Sequence, residues 1–317
     1  MDNVLRNNYR IRHEELERKI SVFQQAGTAL PGLELPGASE ALIGQVIDSE
    51  RRVQYVKHLL TRQLDPQSVN PDNVAFDPLK AAVIHRNNGD FDEAIWMVFM
   101  FVHFGKHRHG GWRYARDIYG RLGDGGRWSW TDTAADITAF RFWLHDHQDE
   151  LRRMTDGRQG FGNHRKRESL SAWEMNGTGE VFASYVAWVH ATGETHADRF
   201  ASVEGLSPTA GFDHLYEAMR PIRRFGRIAR FDYLTMLMKL EMLNIAPGHS
   251  YLIDASGPVR GANLLLFGTE KRYHLTGRNL EQPLQKFAAA IDVTPDVLED
   301  AVCNWQKKPT AYAPVRL

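Results

Sequence analysis

Residues 89–107, GDFDEAIWMVFMFVHFGKH, constrain the fold more than any other stretch. Asp90 with Glu93 three residues on is a capping-box pattern, which puts acids at the positive end of a helix dipole. Lys106 and His107 suit the other end. From Ile95 to Val102 every face is apolar, so this helix has no side to show to water and belongs at the centre of a core. The apolar run is shorter than the roughly 20 residues of a membrane span. A compact globular protein is expected, and 43% apolar residues with 11% aromatics suffice to build its core.

Helical spacing over residues 9–26 and 39–62, separated by GTALPGLELPGAS, predicts two helices joined by a loop. QLDPQSVNPDNVAFDP carries three prolines and several turn formers, which places a boundary near residue 75. A helical region over 1–75 then precedes a helical domain over 76–317. Near the end, TPDVLEDAVCNWQKK opens with Thr294 as cap and Pro295 at the first helical position. Val297, Leu298, Ala301, Val302 and Trp305 make one apolar stripe, and Asp300, Asn304 and Lys307 share another face. Strand-like alternation is scarce and no βαβ rhythm occurs, so the fold class is mainly α.

Thirty-nine basic residues balance thirty-nine acidic ones, so any electrostatic site is local. Cys303 is the only cysteine, which excludes an internal disulfide framework and multi-cysteine metal motifs. The start, MDNVLRNNYRIRHEELERK, is charged and lacks a signal peptide's apolar core, which predicts a soluble cytoplasmic protein with no membrane partner.

Positive charge is concentrated in RPIRRFGRIARFDYL. If that stretch is helical, Arg220, Arg223, Arg224 and Arg227 form one ridge suited to phosphate oxygens, with Asp232 just beyond. A solvated helix face has the same composition. GFGNHRKRESL follows two glycines with His164, Arg165, Lys166 and Arg167, the make-up of an anion-binding loop or of a hinged basic surface loop. His103 and His107 share one side of an extended helix, but two histidines are too few for zinc, and no metal site is assigned. In IDASGPVRGANLLLFG, residues Ser256, Gly257, Pro258, Gly261 and Ala262 look like a helix-hairpin-helix connection or an ordinary tight turn. There is no Walker spacing, dinucleotide fingerprint, HExxH or Ser-His-Asp pattern.

In order along residues 75–310, the blocks GDFDEAIWMVFMFVHFGKH, GFGNHRKRESL, RRFGRIARFDYLTML, SGPVRGANLLLFG and LEDAVCNWQKKP resemble the α-glutamyl/putrescinyl thymine pyrophosphorylase family, in particular its amino acid:DNA transferase branch. The resemblance implies an all-α relative of helix-hairpin-helix DNA glycosylases that acts in phage thymine hypermodification, in the host cytoplasm if phage-encoded. The implied substrate is double-stranded DNA bearing pyrophosphorylated 5-hydroxymethyluracil, in which an amino acid such as glycine, or a polyamine, displaces pyrophosphate at the 5-methylene carbon. Under that reading Asp232 is the general base, His164 serves the base or the leaving group, and Arg224 and Arg227 face the pyrophosphate.

Contacts to substrate or DNA would come from Arg165, Lys166, Arg223, Lys106, His107, Ser256, Gly257 and Arg260. Asn304, Gln306 and Lys307 would read the base edge, its phosphate or the amine's carboxylate. Reaching the methylene calls for base flipping, with Trp305, Tyr233 or Trp112 as stacking candidates. No cofactor is assigned, and Mg²⁺ is a possible companion of pyrophosphate that needs no dedicated ligand cage. Two alternatives differ in class. A glycosylase-like enzyme would need an acid after the hairpin, where only Glu270 and Asp292 are near, and a DNA-binding module would contact phosphates alone.

Overall fold

The computed structural model describes residues 2–153, 160–165, 167–270 and 277–314. Among them 64% of the chain is helical, in fourteen α-helices with no strand. In chain order these are α1 (Asp2–Gln25), α2 (Ala38–Leu59), α3 (Pro78–Asn87), α4 (Phe91–Phe104), α5 (Arg113–Tyr119), α6 (Trp130–Ala135) and α7 (Ile137–Arg153). There follow α8 (Thr178–His190), α9 (His196–Phe200), α10 (Pro208–Ala218), α11 (Arg227–Lys239), α12 (Gly257–Phe267), α13 (Gly277–Ala290) and α14 (Pro295–Trp305). No helix among the described residues is long and apolar enough to cross a membrane.

The chain forms two compact units, Met1–Val56 with Pro247–Leu317, and Lys57–Ala246. In the first, Leu16 and Ile20 of α1, Leu42 and Val46 of α2, Leu265 of α12, Phe287 of α13 and Leu298 of α14 close one apolar core. Trp305 is buried in it, and its indole N–H is shared between the carbonyls of Ala38 at 3.1 Å and Pro309 at 2.9 Å. That environment makes Trp305 a core residue and removes it from the stacking candidates.

Ser256, Gly257, Pro258, Gly261 and Ala262 do not join two helices. Ser256 stands at the cap position of α12 without a side-chain capping bond and the others occupy its first turns, while α11 ends at Lys239. The small residues serve packing: a Cβ at Gly257 would stand 2.6 Å from the Cys303 sulfur, and one at Gly261 would strike the Val302 carbonyl. α12 therefore lies against α14 closer than side chains would permit. Thr294 does sit at the cap position of α14, but its side chain accepts no capping bond there.

In the second unit α4 is the axis, with residues 94–100 wholly buried. It packs against α3, α5, α6, α9 and α11, which explains why no face of it is polar. Asp90 caps it, accepting from the Glu93 amide at 3.4 Å. The reciprocal half of the expected capping box is absent. The Glu93 carboxylate instead turns inward, accepting from the Tyr119 hydroxyl at 2.7 Å and the Trp130 amide at 2.8 Å. Burial raises its pKa to about 7, against those two hydrogen bonds.

Candidate active site

The basic loop is held by its apolar residues. α10 ends at Ala218 and α11 begins at Arg227, so Arg220, Arg223 and Arg224 lie in the connection and no single helical ridge forms. Pro221, Gly226 and the left-handed backbone of Arg224, at φ 58°, account for the interruption. Ile222 and Phe225 are buried, Phe225 stacking on Phe99 of α4 at 5.5 Å. Burying two such side chains is worth roughly 1.5–3 kcal/mol each, enough to pin the loop while its arginines stay outside.

Those arginines border an open groove of about 610 Å³, with Arg220, Arg223, Arg224 and Arg230 around Ile222 and Phe225 and no acid in its lining. Arg220 and Arg223 are the most open, at 67% and 56% of their side chains. Glu217 meets Arg220 at 2.5 Å, whereas Glu180 stands 4.0 Å from Arg223. Arg230 donates to the Tyr216 carbonyl at 2.8 Å and lies over that ring. Arg224 differs from the others, because Glu168 receives its fork through two bonds of 3.1 Å. Glu168 is a partner that sequence reading missed, although it is the acid that closes the run HRKRE.

A second cluster surrounds Asp232 on α11. Arg165 donates to its carboxylate at 3.2 Å and, through Nε, to the Val102 carbonyl at 2.7 Å. Val102 is in the last turn of α4, so this guanidinium also meets the negative end of that helix dipole. Glycines make the approach possible: the Gly162 amide donates to the Phe104 carbonyl at 2.8 Å, and a Cβ on Gly162 would stand 2.8 Å from the Gly105 backbone. Gly105, at φ 63°, ends α4 there.

Asp232 has 48% of its side chain open, yet the surrounding protein displaces enough water to raise its pKa. Arg165, His164, Arg227 and Lys239 pull in the other direction. His164 is exposed and Arg227 is buried, its guanidinium over the Phe231 ring at 4.7 Å. Asp232 does not line the groove. On α11 it is two residues from Arg230, about 200° round the helix.

The remaining candidates divide. Lys106 is exposed just past the end of α4, its amide beside Gly162. Because α4 stops at Gly105, His103 and His107 do not share a helical face. His107 instead accepts the amide of Gly110 at 3.0 Å, and buried His103 bonds Thr178 at 3.1 Å. Since the Thr178 hydroxyl donates to the Ser169 carbonyl, His103 is the donor in that bond. Burial, with Arg165 and Arg224 nearby, pushes the His103 pKa down to about 3 and keeps the ring neutral. Among the described residues no cluster of three or more His, Cys, Asp or Glu could hold a metal. Lys166 lies outside the described residues.

Ser256, Gly257, Arg260, Asn304, Gln306 and Lys307 belong to the other unit. There Asn304 donates to Asp300 at 2.8 Å and accepts from Lys307 at 2.8 Å, while Ser49 and Arg52 hold the other oxygen of Asp300. Gln306 donates to the Cys303 carbonyl at 3.2 Å. Tyr233, a stacking candidate, is fully buried with its hydroxyl 2.7 Å from that of Tyr185. Trp112 is half-buried against Phe101.

A carboxylate held by one arginine on one side of α11, and a groove lined by several arginines on the other, are groups that can accept a proton and take up a polyanion. The family model described as alpha-glutamyl/putrescinyl thymine pyrophosphorylase clade 3 matches residues 37–316. The chain belongs to that family, which implies thymine hypermodification in DNA and pyrophosphate chemistry. No curated protein and no solved structure matches.

Proposed function

We propose that the protein transfers an amine to pyrophosphorylated 5-hydroxymethyluracil in DNA. The nitrogen lone pair of an amino acid or polyamine attacks the 5-methylene carbon, the carbon–oxygen bond breaks, and pyrophosphate leaves. The proton lost from nitrogen passes to a carboxylate. A new C–N bond remains on the base.

The observation that carries this reading is the division of labour in the second unit. The groove of Arg220, Arg223, Arg224 and Arg230 supplies positive charge without an acid in its lining, as a leaving pyrophosphate or a DNA backbone requires. Asp232 supplies the base, and its raised pKa makes it a stronger proton acceptor than an ordinary aspartate. Arg165 holds it in place, and His164 is close enough to influence its charge. Arg227, at the start of α11, and Lys239, at its end, complete the positive surroundings of Asp232.

Single-turnover kinetics on saturating modified DNA test the groove. Arg224→Ala should slow the chemical step there, and an effect confined to DNA affinity would remove Arg224 from the transfer.

A further inference from the structure

Linked to the groove through Arg141 and Glu180 is a pair of aromatic rings that the reaction does not use. Phe142 of α7 and Trp173 meet edge to face at 5.1 Å, and 57% and 44% of their surfaces remain in water. Met175, 70% exposed, follows two residues on. Arg141 fixes Trp173 from one side, its guanidinium 4.5 Å above the ring and its Nε donating to the Ala172 carbonyl at 3.0 Å. The same guanidinium meets Glu180 at 3.3 Å, and the other oxygen of Glu180 faces Arg223 at 4.0 Å. A continuous line of contacts therefore runs from the exposed indole to the groove.

We propose that Phe142 and Trp173 form a stacking face for an unpaired nucleobase, with Arg223 and Arg220 taking the adjoining phosphates. This rests on the reading of DNA as substrate. Two large rings left in water cost free energy unless something covers them. A ligand that covers them and also satisfies the arginines must carry flat aromatic faces and negative charge in alternation. Single-stranded nucleic acid has that construction, and aromatic platforms beside basic grooves bind it without sequence preference. Trp173 is pre-set for the task, because Arg141 already holds the indole in one orientation.

The test is fluorescence anisotropy of the full chain with an unmodified single-stranded oligodeoxynucleotide over a range of salt. Replacing both rings, Phe142→Ala with Trp173→Ala, should weaken binding about tenfold at every salt concentration and leave the salt slope unchanged. Arg223→Ala should make the slope shallower by about 0.7, and Trp173→Phe should keep most of the affinity. A double variant that binds within about twofold of wild type overturns the proposal, as does one that loses self-association in sedimentation while still binding DNA.

Should the double variant fail to fold, the comparison of wild type with Trp173→Phe decides. Quenching of tryptophan emission by the oligonucleotide must be larger in wild type, and equal quenching rejects the stacking face. If wild type binds no DNA, the proposed function fails with it. If the rings matter for binding but modified DNA gains no adduct, only the transfer reaction fails.

Discussion

Arg165 and Asp232, 67 residues apart in the chain, meet at 3.2 Å, and the same guanidinium is tied at 2.7 Å to the end of the buried helix α4. The carboxylate is thereby tied to the buried axial helix of its unit. One oxygen faces an arginine while 48% of the side chain remains open.

A base held in this way sets the pH dependence. Because its pKa is raised by the protein around it, the rate should fall with acid at a pH above the ordinary aspartate range of about 3.9. Asp232→Asn should remove that limb and cost roughly 10²–10⁴ in rate, leaving only the rise that reports deprotonation of the amine. Arg165→Gln takes away a cation that lowers this pKa, so the limb should move to higher pH. Rate profiles of the three proteins at saturating DNA check this, and an unchanged profile in Asp232→Asn rejects the base.

The groove arginines should behave as phosphate contacts. Arg220→Ala and Arg223→Ala should each reduce the slope of log affinity against log salt on duplex DNA by about 0.9. Arg224, whose fork Glu168 already holds, should contribute less to that slope. Equal slopes for all three variants and wild type would rule out a role for the groove in binding the DNA backbone.

Glu93 predicts a stability effect that is independent of catalysis. Its folded pKa of about 7 exceeds its ordinary value, so the stabilising contribution is complete below about pH 4.5 and is lost as pH rises through 7. The loss should be on the order of 3 kcal/mol. Glu93→Gln keeps a carbonyl for the Trp130 amide and should flatten the dependence, with a higher Tm than wild type at pH 8. Parallel melting curves from pH 5 to pH 8 would contradict this.

Gly257 tests packing against DNA contact. Gly257→Ala places a methyl group 2.6 Å from the Cys303 sulfur and should cost about 1–3 kcal/mol. Adding Cys303→Ala should restore much of the loss, since the strain has one source. If Gly257 serves DNA instead, stability stays at wild type while affinity falls.

The helices were legible because their apolar residues recur with the periodicity of burial, and the all-round apolar run of α4 correctly marked the axis of its unit. The capping box was legible only in half, since Glu93 finds a stronger pair of donors inside the protein than at the helix start. The condition for an arginine ridge, a helix through residues 220–227, fails at Pro221 and Gly226, two breakers visible in the sequence. Spacing at three and four residues has meaning only where the backbone stays helical. The pairing of Arg165 with Asp232, and of Arg224 with Glu168, joins segments that no local pattern connects. The small residues near Ser256 suit a hairpin and a tightly packed helix start equally, and only the position of Cys303 and Val302 separates the two.

The most direct measurement is to incubate the protein with duplex DNA carrying pyrophosphorylated 5-hydroxymethyluracil and a pool of amino acids and polyamines, then to weigh the digested nucleosides. A nucleoside with the mass of thymidine plus one amine less two hydrogens, lost in Asp232→Asn, is the expected result and names the amine. DNA that is bound yet unaltered, or that acquires abasic sites, would contradict the transfer.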